Sequence, residues 1–542
     1  MSDYLQAFHR WLDSPLMNKE ELEELESLKN DEKLLYDCFY TSLEFGTGGI
    51  RGKMGMGPNR LNRFVIAQVT QGLANYLNKI KSGNSVAIGY DSRINSKEFA
   101  FIAANVLAAN SIKAFIYDHL MPTPSVSFAV RHLHCDAGII VTASHNPQEY
   151  NGYKVYDNTG CQCTLDMADA IYREIQDVDI LSEVKNNNEE LVNIISDDVE
   201  KAFITSSLKQ SIYQEERVLN LVYTPLNGAG FTCITTALRK DGFNNIALVK
   251  EQCEPDGRFP TCPYPNPENI KALELGIALM LKENADVLIA SDPDSDRLGC
   301  VVNNNGKTIP LSGNEVGMII LNHLLKVRDV KNPVVVKTIV STPLVDLIAE
   351  KYHCEVRNVL TGFKFIGDQM NNLEKDGELG RYLFGFEESM GYLTNPDCRD
   401  KDAINAALLL MEIANHLKLE NKTLLDELDD IYREFGRYVT AQSAFSFEGE
   451  EGKKKIADIM NSLRGELNIP NLTDVIDYAK DDIYVDGKNL LPKSNVIKLV
   501  LKDHETIIAR PSGTEPKIKF YIFAKEERID ELKKLIEKEL VK

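Results

Sequence analysis

Short apolar runs that end in polar loops, separated by helical stretches, recur along most of this chain and confine it to sheets built from strand–helix–strand units. SVAIGYD (Ser85 to Asp91) and AGIIVTASHNP (Ala137 to Pro147) read as strands running into polar loops, and EFAFIAANVLAAN (Glu98 to Asn110) reads as a helix between them. The rhythm returns in LNLVYTPLNGAG, NIALVK and ADVLIASDPDSDR, and again in PVVVKTIVSTP, EVRNVLTG and RYLFGFEES. Alternation of this kind implies parallel sheets, and three such blocks imply three α/β domains. The C-terminal segment differs: VIKLVLKD, HETIIAR and KIKFYIFAKE read as strands and ERIDELKKLIEKEL as a closing amphipathic helix, a smaller α+β domain. The opening stretch DSPLMNKEELEELESLKN reads as helical, with Pro near its start and acidic residues in its first turns. Boundaries near 205, 312 and 435 give the segments 1–205, 206–312, 313–435 and 436–542.

At 542 residues the chain is too long for one hydrophobic core, which agrees with several domains. Its formal net charge of −20 repels phosphate backbones, so no nucleic-acid partner is expected. An anionic ligand must then be gripped by a local cluster of Arg and Lys, which makes basic residues in Gly-rich loops informative. Ten cysteines without a CxxC pair fit neither a disulfide framework nor a zinc site, and read as reduced thiols in a cytoplasmic protein. The opening MSDYLQAFHRWLDSP lacks the apolar core of a signal peptide, and no apolar run nears the roughly 20 residues of a membrane span. No membrane partner is expected, and the oligomeric state stays open.

Four loops carry candidate chemistry. Thr142-Ala143-Ser144-His145-Asn146-Pro147, followed by Asn151-Gly152-Tyr153-Lys154, sets a Ser beside a His, as nucleophilic catalysis does, although the GxSxG elbow is absent and a polar turn is the alternative. In Ser291-Asp292-Pro293-Asp294-Ser295-Asp296-Arg297 the three carboxylates project to one side of an extended segment, and a hard divalent cation relieves their repulsion. A calcium EF-hand is excluded, because Arg297 and Asn303 stand where its Gly and Glu belong; magnesium with an open position is preferred. Arg510-Pro511-Ser512-Gly513-Thr514-Glu515-Pro516-Lys517 offers two cations, two hydroxyls and backbone N–H groups as a phosphate cradle, with an ordinary hairpin turn as the alternative. Glu387-Glu388-Ser389, at the end of a strand, suits vicinal sugar hydroxyls. Gly46 to Lys53 misses the phosphate-binding P-loop spacing and reads as a flexible Gly loop carrying Arg51 and Lys53.

Together, in this order, the four loops resemble the α-D-phosphohexomutases over nearly the whole chain. The resemblance implies four domains around a central cleft, three of them alike, with a smaller C-terminal domain. It implies a phosphoryl group carried on Ser144, magnesium held by Asp292, Asp294 and Asp296 with Ser144 adding an oxygen, and sugar contacts from Glu387 and Ser389. Arg510, Ser512, Gly513, Thr514 and Lys517 match the site of the non-reacting phosphate. Arg51, His145, Lys154 and Arg297 match positions lining the reacting group, with Lys154 as acid/base. Lys337, Lys364 and Lys401 match further cleft positions, Lys401 as a second acid/base. The implied reaction interconverts glucose 1-phosphate and glucose 6-phosphate, with glucose 1,6-bisphosphate as intermediate and activator. Glu388 looks glucose-like, whereas the N-terminal helix and the EESMGY wording resemble the branch that includes pentose-phosphate mutases. Mannose phosphates, a bisphosphate synthase and a non-catalytic sugar-phosphate sensor are the remaining alternatives.

Overall fold

The computed structural model describes residues 3–46, 48–182, 188–447, 449–512 and 517–541. The chain forms two compact units. One comprises Met1–Ser312, Gly367–Leu379 and Ser389–Leu419; the other comprises Gly313–Ile366, Gly380–Glu388 and Glu420–Lys542.

The first unit holds two sheets. Strands β1 (Gly49–Lys53), β2 (Ser85–Tyr90), β3 (Lys113–Ile116), β4 (Ala137–Val141), β5 (Tyr150–Asp157) and β6 (Val192–Ile194) line up as β1-β5-β4-β2-β3-β6. The strands β4, β2, β3 and β6 run parallel, with helices Ser96–Ala109 and Thr123–His132 as crossovers. Val86, Ile88, Ile139 and Val141 from the central strands pack with Leu73 and Leu107 from the covering helices, which fixes where the strand ends project. The link from β4 to β5 is too short for a crossover helix, so β5 turns back antiparallel, and β1 pairs antiparallel with it. The sheet is therefore mixed. One expectation is corrected: the Gly-rich stretch is not a flexible loop from Gly49 onward but edge strand β1, with Arg51 opposite Gly152. Gly49 is required there: its φ is +145°, and a Cβ would lie 2.0 Å from the Tyr153 carbonyl oxygen.

The second sheet is β11-β10-β9-β7-β8, built from β7 (Leu221–Thr224), β8 (Ile246–Leu248), β9 (Val287–Ser291), β10 (Leu298–Asn304) and β11 (Lys307–Leu311). Its first three strands in the chain are parallel and the last two form antiparallel hairpin partners. Helices Asp3–Leu12, Lys19–Leu28 and Glu32–Phe39 fulfil the helical reading of the N-terminus; Asn18 and Glu21 form a capping box, and the Trp11 ring meets Phe39 and Phe64 edge-on.

In the second unit, β12 (Val334–Thr338) lies between β13 (Glu355–Val359) and β14 (Tyr382–Glu387), all parallel. The short strand β15 (Gly391–Leu393) falls in the first unit's share of the chain. Strands β16 (Tyr438–Ser446), β17 (Leu472–Asp477), β18 (Ile497–Leu501), β19 (Thr506–Pro511) and β20 (Lys517–Lys525) form an antiparallel sheet in the order β16-β20-β19-β18-β17. Ile456, Leu463 and Leu532 from its helices cover the apolar face. Three mixed α/β domains plus a C-terminal antiparallel sheet domain are therefore present, as the sequence pattern implies. Among the described residues, no helix is long and apolar enough to cross a membrane.

The segment between β3 and helix Thr123–His132 is pinned by His119, which bridges Asp118 (2.6 Å) and Glu200 (3.2 Å). The hydrogen bond to Glu200, with that to Asp118, pushes its pKa up to about 9 against the opposing effect of burial. The folded state thus prefers the imidazolium. The resulting stabilisation is complete below about pH 6.5 and is lost as pH rises toward 9. His119→Gln should therefore lower the denaturation free energy by about 0.5–1 kcal/mol at pH 6, a modest value for a half-exposed pair, and by nothing measurable at pH 10. Equal losses at both pH values would contradict the bridge.

Candidate active site

Two candidate loops of the first unit, after β4 and after β9, leave the carboxyl ends of strands, the side on which open α/β sheets collect ligands. Beyond β4, Ser144 adopts a left-handed backbone (φ 53°), an uncommon conformation for a residue with a Cβ. Its amide donates to Thr142 Oγ1 (2.8 Å). Its hydroxyl lies 3.0 Å from Asp292 Oδ2 and 3.1 Å from His145 Nδ1, so one hydroxyl proton has two acceptors in reach. Burial, together with the guanidiniums of Arg297 and Arg51, pushes the His145 pKa down to about 2, and the ring is neutral. Arg51 on β1 donates to Asn146 Oδ1 (2.9 Å).

Beyond β9, Asp292, Asp294 and Asp296 are all buried, and one oxygen from each lies within 4.8 Å of the others. A tight turn produces this. Asp292 Oδ1 accepts from the amides of Asp296 and Arg297 (both 3.1 Å), and Ser295 takes a left-handed φ of 52°. Two unit charges about 4 Å apart interact by about 4 kcal/mol at an effective dielectric of about 20, so three carboxylates together need cations. Lys154 on β5 lies 2.9 Å from Asp294 and 3.6 Å from Asp296; Lys401 lies 2.7 Å from Asp296. Burial alone would raise the Asp294 pKa, but these two ammoniums outweigh it and hold the group well below the carboxylate range. Burial and the charges of Asp294 and Asp296 push Asp292 well above that range. The buried Asp294 Oδ1 accepts no hydrogen bond among the described residues. An all-oxygen donor set with an unused buried lone pair fits a hard divalent cation.

Ser144, His145, Arg51, Lys154, the three aspartates, Arg297 and Lys401 thus belong to one cluster of the first unit. Ser389 also belongs to this unit, half-buried. The second unit carries the others. Lys337 on β12 and Glu387 at the end of β14 sit on adjacent strands; Lys337 pairs with Asp346 (3.1 Å), and Glu388 accepts from Thr338 Oγ1 (2.8 Å). Lys364 opens helix Phe363–Lys375 and lies over the Phe365 ring. Arg510, the penultimate residue of β19, lies opposite Lys519, and the Ser512 amide donates to the Lys517 carbonyl (2.7 Å) at the neck of the hairpin. Gly513 and Thr514 lie outside the described residues.

Sequence reading passed over three contributors. Thr123 donates through Oγ1 to Asp294 Oδ2 and through its amide to the Asp294 carbonyl (both 2.8 Å). Tyr156 donates to Asp400 Oδ2 (2.7 Å), and Asp400 Oδ1 accepts from the Lys401 amide, which orients that residue. A hydroxyl bracketed by prolines, Pro122-Thr123-Pro124, was the available signal for the first.

Comparison with known proteins agrees with this geometry. The phosphoglucomutase/phosphomannomutase α/β/α family models match in order: domain I over residues 42–181, domain II over 201–306 and domain III over 312–435. A phosphoglucomutase of Staphylococcus aureus (strain MRSA252) is 38% identical over 502 residues, covering 90% of each chain. That of strain USA300 is 38% identical over 509 residues, 91% of this chain and 92% of the relative. The solved structure of a phosphoglucomutase/phosphomannomutase family protein from Burkholderia thailandensis has a TM-score of 0.70 at 20% identity, covering 91% of this chain and 96% of that one. The open form of parafusin, a phosphoglucomutase from Paramecium, has a TM-score of 0.69 at 19% identity, covering 92% and 95%. The chain belongs to the phosphoglucomutase/phosphomannomutase family and is an intramolecular phosphotransferase.

Thr123→Val keeps the side-chain shape and removes the donor to Asp294. It should weaken manganese(II) binding about tenfold, as loss of a contact behind a ligand does, in a titration followed by electron paramagnetic resonance. Unchanged affinity would show that this hydroxyl does not orient the carboxylate.

Proposed function

We propose that the chain interconverts glucose 1-phosphate and glucose 6-phosphate through phosphoserine at Ser144 and a glucose 1,6-bisphosphate intermediate, which also primes the enzyme. The observation that carries this reading is the Ser144 hydroxyl held 3.0 Å from one member of a buried carboxylate triplet. The glucose assignment rests on the two Staphylococcus aureus relatives, both called phosphoglucomutases.

Magnesium held by Asp292, Asp294 and Asp296, with an oxygen from Ser144, would supply positive charge to the transferring phosphoryl group. The chain's own residues do the rest. Arg51 and Arg297 neutralise equatorial oxygens. Neutral His145 stands within hydrogen-bond distance of the serine oxygen. Lys154 serves as acid/base only from its neutral amine form, which takes the proton from the attacking sugar hydroxyl and returns it in the reverse half, with Lys401 as the second candidate. Glu387 and Ser389 hold sugar hydroxyls, with Lys337 and Lys364 nearby in role. Arg510, Ser512, Gly513, Thr514 and Lys517 grip the non-reacting phosphate. In this reading residues 1–205 carry the serine, 206–312 the metal, 313–435 the sugar contacts and 436–542 the phosphate cradle. Ten cysteines without a CxxC pair support a cytoplasmic setting.

Ser144→Ala should lower turnover at least 10⁴-fold, as loss of a covalent nucleophile does, while leaving the thermal midpoint within a few degrees. Near-normal turnover would end the phosphoserine reading. The same assay with ribose 1-phosphate, deoxyribose 1-phosphate and mannose 1-phosphate should give lower kcat/KM than glucose 1-phosphate; a higher value for a pentose would reassign the substrate. No turnover of any sugar phosphate would favour a sensor. Asp294→Asn should abolish the response of the rate to added magnesium, and an unchanged response would place the metal elsewhere.

A further inference from the structure

Arg93, in the loop after β2, has a fully buried side chain. Its Nη1 donates to the carbonyls of Pro147 (2.9 Å) and Tyr150 (3.0 Å). Its Nη2 donates to the carbonyls of Ser144 (2.5 Å) and Asn146. One planar fork therefore closes on four carbonyls of the serine loop. Asp91, 3.4 Å from Nε, supplies the countercharge. Asp91 also accepts from Thr142 Oγ1 (2.6 Å), the oxygen that receives the Ser144 amide.

The other side of the guanidinium faces the second-sheet half of the first unit. It lies 5.0 Å from the centre of the Phe259 ring, which is completely buried. A Cβ at Gly257 would come within 2.7 Å of Arg93 Cα, so a glycine lets this segment seat. The Asp256 amide in turn donates to the Asn227 carbonyl, and the amide of Ala229 donates to the carbonyl of Pro293, inside the Asp292–Asp296 turn. Arg93 thus stands between the serine loop and the segment that buttresses the carboxylate turn.

A buried guanidinium is costly unless its bonds are made, and a left-handed serine persists only where its surroundings over-determine it. Four carbonyl bonds from one rigid fork do so; an ammonium at the same place has three donors on a single atom and cannot span them. We propose that Arg93 is a positioning residue for phosphoryl transfer: it fixes the serine loop so that Ser144 Oγ is presented to Asp292. The proposal rests on Ser144 as the phosphoryl carrier, and it adds a residue that touches neither substrate nor metal.

The test compares wild type, Arg93→Lys and Arg93→Ala in the mutase assay, with near-UV circular dichroism as the check on folding. Folded Arg93→Lys should lose about 10²-fold in kcat, the effect of misplacing a reacting atom by about 1 Å, with KM for the sugar phosphate within about threefold. Guanidinium chloride should restore kcat of Arg93→Ala about tenfold, and ammonium chloride should not, because only the fork reproduces the bonds. A folded Arg93→Lys enzyme with near-normal kcat, or a KM increase at normal kcat, would overturn the proposal. If both Arg93 variants fail to fold, Phe259→Leu decides: without the ring that braces it the guanidinium is free to shift off its four carbonyls, so kcat should fall severalfold at constant KM, whereas unchanged kcat overturns the proposal. A wild-type enzyme without mutase activity would instead reject the serine reading itself, before any variant is compared.

Discussion

Mutual repulsion among Asp292, Asp294 and Asp296 is the constraint around which the first unit is arranged. Three buried carboxylates with oxygens within 4.8 Å of one another separate unless cations and hydrogen-bond donors hold them. The donors come from distant parts of the chain. Lys154 arrives on the antiparallel strand β5, Lys401 follows β15, Thr123 begins a helix of the first sheet, and Ser144 tops β4. Lys154 is held inside a strand and Thr123 at a helix start, while Ser144 and Lys401 sit in short loops close to β4 and to helix Ala403–Leu419.

The same electrostatics separates the roles of neighbouring groups. Burial and the nearby guanidiniums keep His145 neutral, while the ammoniums keep Asp294 ionised. The serine hydroxyl lies between a neutral imidazole and the Asp292 carboxyl, with hydrogen-bond partners on both sides and no net charge of its own. That balance suits a group that alternates between holding a phosphoryl dianion and releasing it.

Much of this was legible in the sequence because the informative residues are local. Apolar runs marked β2, β4, β9, β12 and β14, and the unusual residue types of TASHNP and DPDSDR stood at their ends. What escaped was set by partners far along the chain. Gly49–Lys53 has little intrinsic preference for a strand and becomes one only because β5 offers it a ladder. Thr123 meets Asp294, and Arg93 meets Ser144, across long sequence separations that no local pattern encodes. The antiparallel turn from β4 to β5, which delivers Lys154, likewise depends on a short link rather than on strand composition.

The most direct measurement is single-turnover transfer from enzyme labelled with radioactive phosphate on Ser144 to unlabelled glucose 6-phosphate, run with magnesium and with a chelator. If serine and carboxylate triplet work as one site, the label leaves the Ser144 peptide for sugar bisphosphate only when magnesium is present. Label on another residue, or transfer at the same rate in chelator, would contradict it.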